Sequence, residues 1–230
     1  MNSRMKTCVL WLALMILSIV PAFSKDTKTA EDQEAAYTRV ITRRADKIVA
    51  TLGIADSSKA TCVRDIIAQQ YRSLREIHDT RDARIKAAKK LAGDDKKAAE
   101  ASAKAIRDKA KTEQDKLHKK YLKKLSARLK PEQVDKVKDG MTYGVRQVTY
   151  NQYLAMLPDL TDEQKAQIMA YLVEARENAM DAGSSEEKHR WFRKYKGKIN
   201  NYLSAAGYDL KKAERDLNQR REAASDAKSQ

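Results

Sequence analysis

Residues 188–198 carry the side chains of this sequence that are best suited to binding a ligand. The segment interleaves histidine, tryptophan, phenylalanine and tyrosine rings with six lysine and arginine side chains. Aromatic faces stack on sugar rings or on apolar peptide segments, and cations pair with carboxylates. The segment therefore indicates a binding surface for an acidic ligand.

Helical spacing places several of these rings on one face. Trp191, Tyr195 and Tyr202 follow the spacing i, i+4 and i+11. The same spacing is typical of a buried stripe, in which case the rings simply broaden the core. Both interpretations stay open from the sequence. The candidate ligand-binding residues are Trp191, Tyr195, Tyr202, Lys194, Lys198, Asn201 and Tyr143, the last from an earlier aromatic stretch.

Histidines and carboxylates offer weaker patterns. Glu186 and His189 have the i, i+3 spacing used in di-iron bundles, and Asp115 and His118 repeat it. Such a site also requires two further inward glutamates. Glu174 and Glu177 could be offered, but on so polar a helix they are expected to be solvated, so the sequence predicts neither a metal site nor a cofactor. Glu174, Glu177 and Asp181 could form a carboxylate pair for hydrolysis, but three acids on one polar helix are typical of an exposed face. The sequence thus favours a non-enzymatic protein, without excluding a helical enzyme of unknown reaction.

The protein is basic because of a single segment. Its net charge is +15 over 230 residues, and residues 84–130 hold 17 basic and 6 acidic side chains. The segment is rich in alanine and lysine, which are strong helix formers, and its first part predicts a solvated helix. Such a helix is either a solvated face or a cationic surface for an acidic partner. The candidate electrostatic residues are Lys116, Lys119, Lys120, Lys123 and Lys124.

The N-terminus has the pattern of a secretory signal peptide over residues 1–24. Arg4 and Lys6 precede an uncharged, mostly apolar run of residues 8–20, and Pro21 ends it. Ala22 and Ser24 form a small-x-small cleavage site before Lys25. The run is short for a membrane span, so we expect a periplasmic or secreted protein without stable membrane insertion. The mature chain then keeps one cysteine and no internal disulfide.

The rest of the chain predicts an all-α protein. Glycine and proline are few, and apolar residues recur at helical spacing between capping signals, which favours an elongated bundle or set of helical hairpins. We expect about six to seven helices, one of them long and rich in lysine and alanine. The predicted parts are a single domain at 25–225, whose half at 131–225 is rich in aromatic residues, and a polar tail at 226–230. Residues 141–157 mix strand composition with helical spacing, and helix is favoured because a lone strand has no partner.

Three segments align as helix starts. They begin at Leu160, Leu129 and Ile54, and each places a hydrophobic residue before a capping position. In this alignment Cys62 corresponds to Ile168, which predicts a buried core thiol. Two capping boxes are predicted: one from Thr161 to Gln164, in the segment that begins at Leu160, and one from Ser184 to Glu187.

Two of these segments resemble a known family. Leu160-Thr161-x-x-Gln164 and Leu129-x-x-x-Gln133 are similar to the LTxxQ motif of Spy/CpxP-type periplasmic proteins. The resemblance implies an exported, all-helical, ATP-independent chaperone or envelope-stress protein, often dimeric with a cationic concave face. The partner would be an unfolded protein client, and a homodimer is one expectation.

The whole chain is also similar to an uncharacterised family of secreted bacterial proteins. The similarity rests on residues 141–144 and on residues 194–203. It implies a place in polysaccharide utilisation, with an acidic polysaccharide as the partner. Nucleic acid is not expected, because the basic segment lacks the interleaved rings that single strands stack on. The exposure of Trp191 should distinguish the two hypotheses, since a glycan site needs that ring among polar neighbours and a chaperone needs an apolar patch.

Overall fold

The protein is all-α in the computed structural model, which describes residues 24–226. Eight helices and no strand lie in that range, so the predicted fold class is confirmed, while the expected six to seven helices are too few. Residues 141–157 contain a helix, as favoured. The helices are α1 (Ser24–Ala50), α2 (Ser57–Ala92), α3 (Lys96–Ser126), α4 (Pro131–Met141), α5 (Val145–Met156), α6 (Asp162–Met180), α7 (Ser185–Ala205) and α8 (Leu210–Asp226).

Some predictions lie at the ends of the chain. The predicted signal peptide falls outside the described residues except for Ser24, and the polar tail except for Asp226. The chain divides into two compact units, residues up to Arg39 and residues from Val40 onward. In the described part of the first unit, residues 24–39 form the beginning of α1. All that follows concerns the second unit.

Helices α2 and α3 form a hairpin. Asp56 caps α2 by accepting hydrogen bonds from the backbone N–H groups of Ser58 and Lys59 at 2.8 and 3.2 Å. Gly93, at a φ of 54°, lets the chain turn after α2. Small side chains such as Ala103 and Ala110 are buried in α3, which lets α3 pack closely along α2. The rest of the first part of the basic segment is mostly exposed, in keeping with the expected solvated helix, and residues 84–130 span two helices and a turn.

Helix α4 fits against the last turns of α1. Pro131 opens it, where a missing N–H costs nothing. The Gln133 side chain accepts from the backbone N–H of Lys130 and donates to the carbonyl of Leu52 at 2.8 Å. Gly140 faces Ile48 so closely that an added Cβ would lie 2.7 Å from Ile48 Cγ1. A glutamine of the repeated segment thus ties α4 to the loop after α1.

Helices α5 to α8 share a second core. The residues at helical spacing on one face of α6 and one face of α7 are all buried: Ile168, Leu172, Ala175, Ala179, Phe192, Tyr195, Ile199 and Leu203. The capping box at the start of α6 is confirmed, since Thr161 and Gln164 exchange bonds at 3.0 and 3.3 Å. Tyr208 also donates to Gln164 Oε1 at 2.8 Å, which holds the chain before α8 against the start of α6.

Two local predictions need correction. Cys62 is half-buried rather than a core thiol, and its neighbour Val63 fills the core position with no exposed surface. The gapless alignment therefore misses the inward direction of α2 by one residue. At α7, Ser184 accepts from the N–H of Glu187 as expected, but the Glu187 carboxylate accepts from Gly183 N rather than from Ser184 N. The predicted box is thus only half formed.

Candidate functional site

A cavity of about 570 Å³ opens between α2, α3, the end of α6 and the start of α7. This volume suits a small molecule. Most of the residues that line it are polar or charged, with two imidazoles, carboxylates, amides and cations, and one large ring. The lining residues are His78, Arg81, Lys111, Gln114, Asp115, His118, Glu177, Asn178, Asp181, Ala182, Glu187, Arg190, Trp191 and Lys194.

His118 joins α3 to the end of α6 at the floor of this cavity. Its Nδ1 lies 2.7 Å from Asp181 Oδ2, and its Nε2 lies 3.7 Å from Glu177 Oε2. The hydrogen bond to Asp181 raises the pKa of His118; burial opposes this, and the charges of Asp181 and Glu177 add to it. The two carboxylates therefore stabilise the charged form of the imidazole and hold the ring in place.

His78 joins α2 to the same turn. Arg81 Nη1 lies 2.9 Å from His78 Nδ1, and because a guanidinium only donates, Nδ1 accepts. The ring proton then sits on Nε2, which donates to the backbone carbonyl of Asp181 at 2.8 Å. The Gln114 amide lies 3.0 Å from the same His78 nitrogen. Both histidines therefore converge on Asp181, one on its side chain and one on its backbone.

An ion network supports the floor from behind. Arg176 is nearly fully buried, and it contacts Asp135, Asp139 and Glu177 at 2.9 to 3.1 Å. Burial acts to lower the pKa of Arg176, but its hydrogen bonds to the two aspartates raise it overall. Lys138 binds the other side of Glu177 at 2.9 Å. Glu177 is thereby fixed between two cations and turned toward His118.

Lys188 is a second buried cation near the cavity. Its ammonium donates to the backbone carbonyls of Met141 and Met180, each at 3.2 Å. These carbonyls belong to the last residues of α4 and α6, where the helix dipoles favour a positive charge. Burial lowers the pKa of Lys188 to about 8. One ammonium thus joins two helix ends beneath the site.

Trp191 and Lys194 form one edge of the cavity. Lys194 Nζ lies 4.9 Å from the centre of the Trp191 ring, within the range of a cation–π contact. Trp191 is half-buried, so part of its ring faces the polar lining. This edge combines a flat apolar surface with a positive charge, opposite a floor of hydrogen-bonding groups.

Comparison with known proteins places the chain in a family. Residues 38–223 match the family model described as "Protein of unknown function (DUF3826)". The chain belongs to this family. The DUF3826 match includes every residue that lines the cavity. No curated protein matches the chain.

The candidate ligand-binding residues of this DUF3826 protein do not lie together in the structure. Of the candidates, only Trp191 and Lys194 line the cavity. Tyr195 belongs to the core, and Lys198 Nζ lies 4.4 Å from its ring centre. Tyr202 packs edge-on against Tyr171, Asn201 and Lys198 are exposed, and Tyr143 stacks on His189 at 5.8 Å. The core interpretation therefore holds for Tyr195, whereas the Trp191 ring faces the cavity.

The five lysines of the electrostatic surface are all exposed, as expected for either interpretation of the basic segment. Lys116, Lys119, Lys120, Lys123 and Lys124 lie on α3, and none of them lines the cavity. The α3 residues that do are Lys111, Gln114, Asp115 and His118. Lysines and cavity thus occupy different faces of one helix.

Sequence reasoning undervalued the residues that form the floor. Glu177 and Asp181 were expected on an exposed face, but they are largely buried and bound to His118; only Glu174 is exposed. The sequence did hold a signal, because two of its three histidines line this one cavity. Lys188 had a signal too, as a charged residue four positions before Phe192 on the inward stripe of α7.

The acidic residues and histidines at the spacing of di-iron sites form other contacts. Asp115 pairs with Lys111, Glu186 pairs with Arg190, and His118 binds Asp181 rather than Asp115. Within residues 24–226, no group of three or more histidine, cysteine or acidic side chains is placed to hold a metal ion. In the same range, no helix is both long and apolar enough to cross a membrane.

Proposed function

We propose that this protein is an exported binding protein that holds an acidic carbohydrate in the cavity between α2, α3, α6 and α7. The observation that carries the proposal is the pairing of Trp191 with Lys194 at the cavity edge. A sugar ring would stack on the indole, and its carboxylate would pair with Lys194 and Arg190. Export rests on the signal-peptide pattern of residues 1–24.

The other lining groups suit sugar hydroxyls. Asn178 and Gln114 offer amides, and Asp115 and Glu187 offer carboxylate oxygens. Hydroxyls donate to such oxygens and accept from such amides, so a polyol can be held from several sides. The lining residues carry four lysine or arginine and four aspartate or glutamate side chains. Because these charges balance, the cavity as a whole does not attract anions. We therefore expect the carboxylate of the ligand to bind at the Trp191 edge.

The two imidazoles support binding over acid–base chemistry. Both ring nitrogens of His118 face carboxylates, and both ring nitrogens of His78 are engaged by Arg81 and the Asp181 carbonyl. A general base needs a nitrogen within hydrogen-bond reach of the substrate proton. In this arrangement the histidines act as fixed parts of the wall.

A chaperone is less well supported than a carbohydrate-binding protein. Binding of unfolded clients needs a contiguous exposed apolar patch. The large apolar side chains exposed in the described part of the chain are Leu91 in the last turn of α2, and Tyr143 and Val148 near the start of α5. The LTxxQ-like glutamines form capping and tertiary hydrogen bonds instead of an exposed surface.

Calorimetry with digalacturonate at low ionic strength tests the proposal, with the neutral digalactoside as the matched ligand. We expect Lys194→Gln to weaken digalacturonate binding about tenfold, because it removes one charge-assisted contact. Lys198→Gln is the control, since Lys198 is exposed on the same helix but lies outside the cavity lining. Equal effects of both variants, or no binding to the wild type at millimolar digalacturonate, would reject the proposal.

A further inference from the structure

The outer face of α3 carries an unusual concentration of unneutralised charge. Residues 116–126 of α3 contain five lysines and no aspartate or glutamate, and the one histidine among them faces the cavity. The first part of α3 is different, because it contains four acidic side chains and three of its six cations are paired: Lys104 with Asp108, Arg107 with Glu100, and Lys111 with Asp115. None of the five later lysines forms an ion pair within the described structure. They are Lys116, Lys119, Lys120, Lys123 and Lys124, here called the lysine strip.

The strip has a defined geometry. A helix turns by about 100° per residue, so the five side chains occupy an arc of about 140° and extend over about 12 Å. The same spacing puts the middle of the strip about 160° around α3 from the residues that line the cavity. The strip and the cavity are therefore separate surfaces that two different ligands could occupy.

Helix electrostatics explain only part of the strip. Lys123 and Lys124 lie in the last turn of α3, where the helix dipole favours cations. This effect decays within one turn, so it does not account for Lys116, Lys119 and Lys120. Five like charges on one face repel one another, and this repulsion is relieved when an anionic partner binds.

We propose that the lysine strip is a docking surface for a linear anionic polysaccharide. The apolar side chains between the lysines, Leu117, Tyr121, Leu122 and Leu125, are buried or half-buried. The lysine strip therefore presents charged side chains to a partner, without exposed apolar side chains between them. A single-stranded nucleic acid would want exposed rings to stack on, and a membrane surface would want an apolar face to insert. A carboxylated polysaccharide needs neither, since a row of like charges is its main feature.

The test compares two variants with equal loss of charge. Lys119→Gln/Lys120→Gln/Lys123→Gln removes three charges from the strip, and Lys47→Gln/Lys196→Gln/Lys211→Gln removes three exposed charges dispersed over α1, α7 and α8. Binding of long polygalacturonate is measured over a series of salt concentrations, with excess digalacturonate present to fill the cavity. All six lysines are exposed, so both variants should fold like the wild type.

We expect the strip variant to bind at least about tenfold more weakly at low salt and to show a shallower salt dependence, because fewer counterions are exchanged on binding. The dispersed variant should change affinity by less than about threefold. Equal losses in both variants would show that net charge alone attracts the polymer, and would overturn the proposal. Binding to anionic phospholipid vesicles but not to polygalacturonate would also overturn it. The proposed function of the cavity is tested separately, since digalacturonate binding should be unchanged in the strip variant.

Discussion

His118 Nδ1 on α3 and Asp181 Oδ2 at the end of α6 lie 2.7 Å apart, although 63 residues separate them in the chain. The contact closes the floor of the cavity and joins the α2–α3 hairpin to the C-terminal helices. The backbone carbonyl of Asp181 also accepts a hydrogen bond from His78. Asp181, the residue that follows α6, therefore contacts both histidines of the site. The stability and the ligand affinity of the protein should both depend on this junction.

The first prediction concerns the pH dependence of this contact. The folded-state pKa of His118 is raised, so its contribution to stability is fully present below the unfolded value of about 6.5 and is lost as pH rises through the folded pKa. We expect His118→Gln to lower the free energy of unfolding by about 1–3 kcal/mol at pH 6, since a hydrogen bond to a charged group is lost. Urea denaturation of both proteins between pH 6 and 9 measures the difference, which should shrink as pH rises. His189→Gln removes an imidazole that forms no ion pair in the described structure, and serves as the control. A difference that grows with pH would contradict the assignment.

The second prediction concerns Lys188. Its folded-state pKa of about 8 is below the unfolded value of about 10.4, so the folded state releases its proton first and stability should rise with pH between these values. The wild type should therefore gain about 2 kcal/mol relative to Lys188→Met between pH 7 and 10. At pH 7 the cost of burying the ammonium and the benefit of its two carbonyl contacts are similar in size, so the two proteins should differ by less than about 2 kcal/mol. Denaturation curves at both pH values give the comparison. A gap independent of pH would mean that the amine is not desolvated.

The third prediction follows from the register of α2. Val63 has no exposed surface, whereas Cys62 is half-buried. Val63→Ala should cost about 1–3 kcal/mol of unfolding free energy, because it leaves a cavity in the core. Cys62→Ser should cost less than about 1 kcal/mol, because water can reach the new hydroxyl. Thermal or urea denaturation of the two variants measures both losses of stability. A larger loss for Cys62→Ser than for Val63→Ala would show that the Cys62 thiol is buried in the core.

The fourth prediction uses two glycines near α7. A Cβ at Gly183 would lie 2.8 Å from Cγ of His78, while a Cβ at Gly197 would meet nothing within 4 Å. Gly183→Ala should therefore displace the His78 ring and cost about 1–3 kcal/mol. Gly197→Ala, inside a helix, should stabilise the protein by up to about 1 kcal/mol. Calorimetric melting gives the stabilities, and histidine NMR signals report on the ring. An unshifted His78 signal in Gly183→Ala would show that the backbone of the turn between α6 and α7 moves instead of the His78 ring.

Sequence periodicity predicted most of the helices, because the interactions that define a helix are local. Asp56, Pro131 and Thr161 begin α2, α4 and α6, and each acts within its own first turn. The inward stripes of α6 and α7 could be read in the same way, since one face of each helix is apolar. Where the local signal was weaker the prediction shifted, as for Cys62 and Val63, because a gapless alignment cannot give the rotation of a helix about its axis.

The site was decided by tertiary structure. The sequence offers Trp191 and Tyr195 as equivalent rings, but the packing of α6 against α7 buries Tyr195 and leaves Trp191 at the cavity edge. It offers Glu177 and Asp181 as surface acids, but the placement of α3 beside the end of α6 supplies His118 as their partner. The sequence by itself determined the helices, their capping and the location of the charge. Which polar side chains meet depends on contacts between residues 36 to 103 positions apart, and such contacts exist only once the helices have packed.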